Sequence, residues 1–562
     1  MESEKQPIPT MGVIANSVVQ ARSIKPKERI DIKRPARLWV IVLLLGWVFD
    51  FLFWKQKVGV NFVLLLTICL LGGVYLLFAE GHKPARSSLW LLLPFTFFVA
   101  ITFIRREPLT IFLAFTFSLF SIGLFATSYQ GGRWYLYWLS DYVYKFLLLV
   151  GDMIAGPIAF VRGLRKTSLD SIDGRKGSPI PGLIRGLIIA VPIVLFFGSL
   201  LASADVVFNQ KLIDFFDAHK ISEYIQRLVL IIIFAYLLSG VFLHSASKSM
   251  DEKVTEEKKS FIKPFLGFTE SAVVLGSVIT LFLIFVVVQF RYFFGGETNI
   301  GVEGYTYSQY ARRGFNELVT VAFFSLLMLV ALSIITQRQN ESQRRVYSLL
   351  NVAVVLLVMV ILVSAYQRIS LAIGWHGYSR LRLYPRIFLI WLGILLVAVA
   401  ALEIIQGERY FAFAAVLAAL GFAVTLTLVN VDAATVRLNV YRSWHGRNLN
   451  VPHLASLSTD AIPALADVFL SHSLPTSTQE GVGAILACYK YAEEAPHISA
   501  YDWRSFNYSS WQAHMALETI RPGLAGYTIQ YKKYPVRVRT PHGVLYDCWT
   551  YDAANDNDSG RD

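Results

Sequence analysis

Cysteine is scarce in this sequence, with three among 562 residues: Cys69, Cys488 and Cys548. No CxxC pair and no Cys/His spacing that would hold zinc is present. His453, His472, His497, His514 and His542 are scattered without ligand spacing. A P-loop, a GxSxG elbow, an HExxH helix and a dinucleotide fingerprint are all missing, so no cofactor, no metal and no catalytic residue is expected. Asp556-Asn-Asp558 has the form of a metal-binding DxD, but its polar tail lacks the apolar neighbours that would hold an ion. Charge is scarce too: 16% of residues are charged, against about 25% in a soluble chain.

Apolar residues fill that space. They make up 55% of the chain, and mean hydropathy is +0.50. They fall into runs of about 17–25 residues separated by short polar loops, and about 17 residues is the least that crosses the hydrocarbon core as a helix. The expected spans are Leu38–Trp54, Val58–Ala79, Leu89–Ile104, Leu109–Thr127, Leu183–Ala204, Leu228–Ser247, Thr269–Phe290, Phe315–Thr336, Val346–Ala365, Ile387–Ile405 and Phe411–Val429. The first 37 residues are polar and basic and read as a disordered tail. The run after them is a full span rather than a cleaved signal. Trp134–Phe160 carries Asp141, Lys145 and Asp152 at roughly helical spacing, which predicts an interfacial helix.

The fold class is therefore mainly α: a polytopic bundle of about eleven transmembrane helices over 38–430, followed by a small mixed α/β domain over 431–551 and a disordered tail over 552–562. Lys83, Arg86, the Arg162–Lys176 cluster, Lys248–Lys263, Arg338, Arg344 and Arg345 all fall on the side of the basic N-terminus. That asymmetry predicts a cytoplasmic N-terminus and an extracytoplasmic C-terminal domain. The net charge of +13 is explained by these loops and by anionic headgroups, so nucleic acid is not an expected partner. Within the C-terminal domain, Ser458–Phe469, Ser477–Ala492 and Trp503–Ile520 read as helices, the second opening on a Ser477-Thr-Gln-Glu480 capping box. Thr528–Tyr534 and Val536–Tyr546 alternate as strands, with a turn at Pro541-His-Gly543. Cys488 and Cys548 share this domain, where a disulfide is feasible if their Cα atoms lie within about 7 Å.

Three polar segments stand out. Arg291 with Arg312, Arg313 and Glu317 follows the seventh span. Arg368, His376, Arg380, Arg382 and Arg386 lie between the ninth and tenth. Asp432, Arg437 and Asn439 follow the eleventh. Two spans separate each segment from the next, so parity puts all three on one face. An unpaired Arg inside a bilayer costs roughly 2.5–3.5 kcal/mol on insertion scales, so pairing with Glu297, Glu317 or Asp432, or with a bound anion, is expected. Asp50, Glu270 and Glu403 lie near span ends, where pairing or snorkelling would satisfy them.

The segments Phe-Arg291-Tyr-Phe-Phe-Gly-Gly, Tyr310-Ala-Arg-Arg-Gly-Phe-Asn-Glu-Leu318, Gly377-Tyr-Ser-Arg-Leu-Arg382-Leu-Tyr384 and Asn430-x-Asp-Ala-x-x-x-Arg437-x-Asn439 together resemble the bacterial membrane proteins of domain-of-unknown-function family 4173. Gly46-Trp-Val-Phe-Asp50-Phe-Leu-Phe-Trp54, Leu457-Ser-Thr-Asp460-Ala-Ile-Pro-Ala-Leu465 and Asp502-Trp-Arg504-Ser-Phe-Asn507 are similar to it as well. Val431 stands where that pattern has Pro. The resemblance implies a bacterial polytopic membrane protein and transfers no activity.

The leading expectation is a non-enzymatic inner-membrane protein in envelope sensing, signalling support or transport. The alternatives are a membrane-embedded enzyme acting on an anionic lipid-linked substrate and a scaffold for another membrane protein. Expected partners are the bilayer, an anionic lipid or glycan, and another membrane protein.

Overall fold

The computed structural model describes residues 32–170, 218–249, 264–294, 315–494, 502–530 and 536–548, with isolated positions between 197 and 205. Its transmembrane part contains α1 (Pro35–Phe53), α2 (Val60–Ala79), α3 (Leu92–Ile104), α4 (Pro108–Thr127), α5 (Leu139–Asp170), α6 (Ala218–Ser247), α7 (Phe268–Phe294), α8 (Phe315–Ile335), α9 (Glu341–His376), α10 (Arg380–Ile404) and α11 (Phe411–Val429). Ten of these are long and apolar enough to cross a membrane. The eleventh, α3 with the 3-10 turn before it, is a shorter apolar helix over Ser88–Ile104. Each span buries a stripe and leaves large apolar side chains such as Leu71, Phe112 and Leu281 exposed, as a lipid-facing surface requires.

Two packed halves meet in the middle. Leu38, Val42, Leu45, Leu65 and Leu76 of α1 and α2 pack on Ala235 and Phe242 of α6. Leu326 and Leu329 of α8, Val354 and Val358 of α9, and Leu392 and Leu396 of α10 form the other half. The α3–α4 hairpin and α11 join them through Phe98, Ala114 and Ala423.

The expected span Leu183–Ala204 lies outside the continuously described residues. The stretch expected at the interface behaves differently from that expectation. It forms the 32-residue α5, of which Leu139–Leu164 is long and apolar enough to cross. Asp152 meets His244 and Lys248, Gly240 packs on Met153, and Tyr236 reaches the Ile154 carbonyl, so α5 runs antiparallel along α6. The charges that suggested a water-facing side are satisfied locally. Asp141 accepts the Trp138 N–H at 2.9 Å, Lys145 is buried over the Tyr137 ring, and Asp152 holds Lys248 Nζ at 2.7 Å. A charge count without partners could not anticipate this. With α5 in the alternation, α11 still ends on the face where α1 ends.

The C-terminal domain contains α12 (Val431–Trp444), α13 (Val451–Ala455), α14 (Ile462–Ser471), α15 (Thr476–Glu494), α16 (Tyr508–Ile520) and the strands β1 (Thr528–Gln530), β2 (Arg537–Arg539) and β3 (Leu545–Asp547). The strands pair antiparallel in the order β1-β2-β3. Its core is built from Val436, Leu454, Leu465, Val482, Leu486 and Leu517. Cys488 and Cys548 are disulfide-bonded, with Cα atoms 5.5 Å apart. The expected capping box is replaced by a longer reach, since Glu480 bonds His542 in the β2–β3 turn.

Candidate functional site

The face where α1, α3, α9 and α11 end is tied to the C-terminal domain by a polar layer. At the end of α11 the chain turns sharply. Asn430 adopts a left-handed conformation, φ 48°, and its side chain accepts the Ala433 N–H at 3.3 Å, capping α12. The turn is made without a proline at Val431. It drives Asp432 inward until it is fully buried.

The Asp432 carboxylate grips two elements. Arg380, at the start of α10, donates both Nε (2.6 Å to Oδ1) and Nη2 in a forked pair. From the C-terminal domain, Ser458 donates its backbone N–H at 2.8 Å and its hydroxyl at 2.6 Å to Oδ2. Arg380 then donates Nη1 to the Ser456 carbonyl at 3.2 Å.

A second acidic knot sits beside it. Glu107 precedes Pro108, the first residue of α4, and accepts the Leu109 and Thr110 N–H groups at 2.9 and 2.7 Å. Proline needs no partner at that position, and the glutamate satisfies two of the donors that follow. Glu107 also accepts the hydroxyls of Thr110 and Tyr384. Asp460 of the C-terminal domain accepts the backbone N–H groups of Arg106 and Glu107. Burial pushes the Asp460 carboxyl up from its ordinary range, and bonds from Ser509 and the Arg106 backbone, with Arg105 nearby, oppose that.

The layer extends both ways. Asn439 exchanges two hydrogen bonds with the Tyr378 backbone, at 2.9 and 2.8 Å. Arg382 donates to the Gly377 carbonyl at 2.9 Å. On the far side Arg504, forked on Asp502, donates to the Phe51 carbonyl at 2.6 Å, and the Val60 N–H reaches the Phe506 carbonyl at 2.9 Å.

Of the residues singled out from the sequence, the structure brings together Arg380, Arg382, Asp432 and Asn439. His376, Arg437 and Glu317 are exposed on their helices. Arg291 lies in the last turns of α7, and Arg312 and Arg313 fall outside the described residues. Sequence reasoning passed over Glu107, and Asp460 entered only as part of a family-like motif, with no site role. A glutamate directly before a proline at the head of an apolar run was a readable helix-cap signal for Glu107. Asp50, Glu270 and Glu403 are each satisfied near a span end. Asp50 holds Arg227 at 2.6 Å, Glu270 caps the Gly267 N–H at 2.8 Å, and Glu403 lies 3.8 Å from Arg338. No group of three or more metal-ligating side chains occurs among the described residues.

A helical membrane bundle whose polar end layer is shared with a docked mixed domain defines the class: a multi-pass membrane protein with an integral C-terminal domain. The chain belongs to the family of the domain of unknown function DUF4153, whose model matches residues 92–468. The match is to that family rather than to family 4173. Arg106, Glu107, Arg380, Asp432, Ser458 and Asp460 all fall within it. No curated protein and no solved structure matches the chain.

Proposed function

We propose that this chain is a bacterial inner-membrane protein that works without catalysis, as a signalling-support or sensing component. In this reading the C-terminal domain lies on the extracytoplasmic side and meets an envelope partner, and the bundle answers as one body with it. The observation that carries the reading is Asp432, whose single carboxylate holds Arg380 of the bundle and Ser458 of the domain. A displacement of the domain must pull on α10. Catalysis is less well supported, because Asp432, Glu107 and Asp460 are each already engaged by donors of the protein itself.

The test is crosslinking and copurification from native membranes, with the full-length protein and its Asp432→Ala variant. An envelope protein captured by the wild type and lost from the inserted variant supports the reading. An altered pool of lipid-linked glycans, with no protein captured by either form, would favour the enzyme instead.

A further inference from the structure

Beside the Asp432 clamp, on the same face, lies a group of cations that the clamp does not use. Arg442, on α12, donates to the Gly374 carbonyl at 2.6 Å, and its Nη1 lies 2.6 Å from where a Cβ on Gly377 would stand. Arg447, just past the end of α12, stacks 5.7 Å from the centroid of Trp375. Arg382 is held nearby through Gly377. Among the described residues, neither Arg442 nor Arg447 has a carboxylate within ion-pair distance. Asp432, the acidic residue of α12, is sealed and committed to Arg380. The like charges feel one another. Arg442 is held below the usual guanidinium range by burial and then by Arg447, and His453 is pushed down by burial and then by Arg382 and Arg380. Like charges held together at a cost are stabilised by a bound anion.

The depth of this group follows from helix length. α10 runs from Arg380 to Ile404, 25 residues or about 37 Å. The hydrocarbon core is about 30 Å thick, and about 40–45 Å with the headgroups. Glu403, with Ser348 and Arg338, marks the polar zone on the opposite face. Arg380 and its neighbours therefore stand at headgroup level. Side chains around them agree. Trp375, Tyr441 and Trp444 are all more than half exposed on this rim, and Leu381 is 83% exposed beside Arg382. Exposed Trp and Tyr at that depth mark the membrane–water boundary.

We propose that Arg442 and Arg447 seat the phosphate of an anionic phospholipid headgroup, whose acyl chains run down past Leu381. Arg442 is fixed by a backbone carbonyl and Arg447 by an aromatic face, so little side-chain freedom remains to be lost on binding. The site does not depend on what the C-terminal domain meets, and its test reads lipid binding alone.

The experiment uses the full-length protein in zwitterionic detergent, titrated with phosphatidylglycerol or phosphatidylcholine and read by native mass spectrometry. Arg447→Gln removes an exposed cation outside the clamp and should weaken phosphatidylglycerol binding on the order of fivefold. Arg442→Gln should do at least as much. Arg344→Gln with Arg345→Gln, exposed on the opposite face, should leave it unchanged. A preference for phosphatidylglycerol that survives Arg447→Gln in a variant melting like the wild type would overturn the proposal. An equal loss in the Arg344/Arg345 variant would do so too, by reducing the effect to diffuse charge. Displacement of the lipid by equimolar inorganic phosphate would identify a soluble anion as the occupant and overturn the lipid assignment.

Discussion

Asp460, deep in the C-terminal domain, completes the head of a transmembrane helix by accepting the backbone N–H groups of Arg106 and Glu107 at 2.9 and 2.8 Å. The helix thereby borrows part of its capping from a residue of a different domain.

That carboxyl carries a pH signature. Burial raises its proton affinity in the folded state above the unfolded one. Its contribution to stability is therefore fully present below the unfolded value near 3.8 and is lost as pH rises through the higher folded value. Asp460→Asn does not titrate, so the melting temperature of that variant minus that of the wild type should climb from pH 4 towards neutrality. Glu480 should behave in the opposite sense. Its bond to His542 holds it below 4.5, so its contribution is present above that value and lost on acidification. Melts of the two variants across pH that slope the same way would contradict this.

Asp432→Ala should lower stability by about 3–5 kcal/mol, the usual cost of stranding one member of a buried ion pair. The Arg380→Ala, Asp432→Ala double variant should lose less than the sum of the two singles, because each single strands the partner that the double variant removes. Denaturant or thermal unfolding in detergent measures both. Strict additivity would mean the two side chains do not act as a pair.

Gly377 has φ +84° and ψ 179°, a conformation open essentially to glycine alone. A Cβ there would stand 2.5 Å from Asn439 Oδ1 and 2.6 Å from Arg442 Nη1. Gly377→Ala should cost at least about 1–3 kcal/mol. It should also loosen the Tyr378–Asn439 pair, read as faster amide exchange at Tyr378. Unchanged melting and exchange would count against this account of the α9–α10 turn.

Much of the architecture was legible because bilayer helices must be long, apolar and continuous. The segments at 38–54, 58–79, 315–336 and 411–429 each coincide with a helix to within a few residues. What misled was charge read without partners. Asp141, Lys145 and Asp152 looked like a wet face, yet each is satisfied within the protein. The polar layer was legible in part for a different reason. Parity puts Arg380, Asp432 and Asn439 on one face whatever the helix packing, whereas Asp460 reaches Glu107 only through the tertiary fold of a domain whose placement no local pattern encodes.

Orientation is open to direct measurement. Alkaline phosphatase fused after Asp562 should be active, and a fluorescent protein fused there should stay dark, as expected of an extracytoplasmic C-terminal domain. The Cys488–Cys548 bridge, enclosing a 60-residue separation, fits an oxidising compartment. Its loss through Cys488→Ser should cost about 2–4 kcal/mol. Dark phosphatase and bright fluorescence would reverse the orientation.

The contact between Asp460 and the head of α4 also sets a schedule for biogenesis. Asp460 leaves the ribosome 354 residues after Arg106, and Arg504 follows Phe51 by 453. At roughly 5–20 residues per second, the α3–α4 hairpin waits in the bilayer for on the order of tens of seconds with its head incomplete. A chain arrested before residue 460 lacks the carboxylate that accepts the Arg106 and Glu107 N–H groups, so the head of α4 stays incomplete until the C-terminal domain is made.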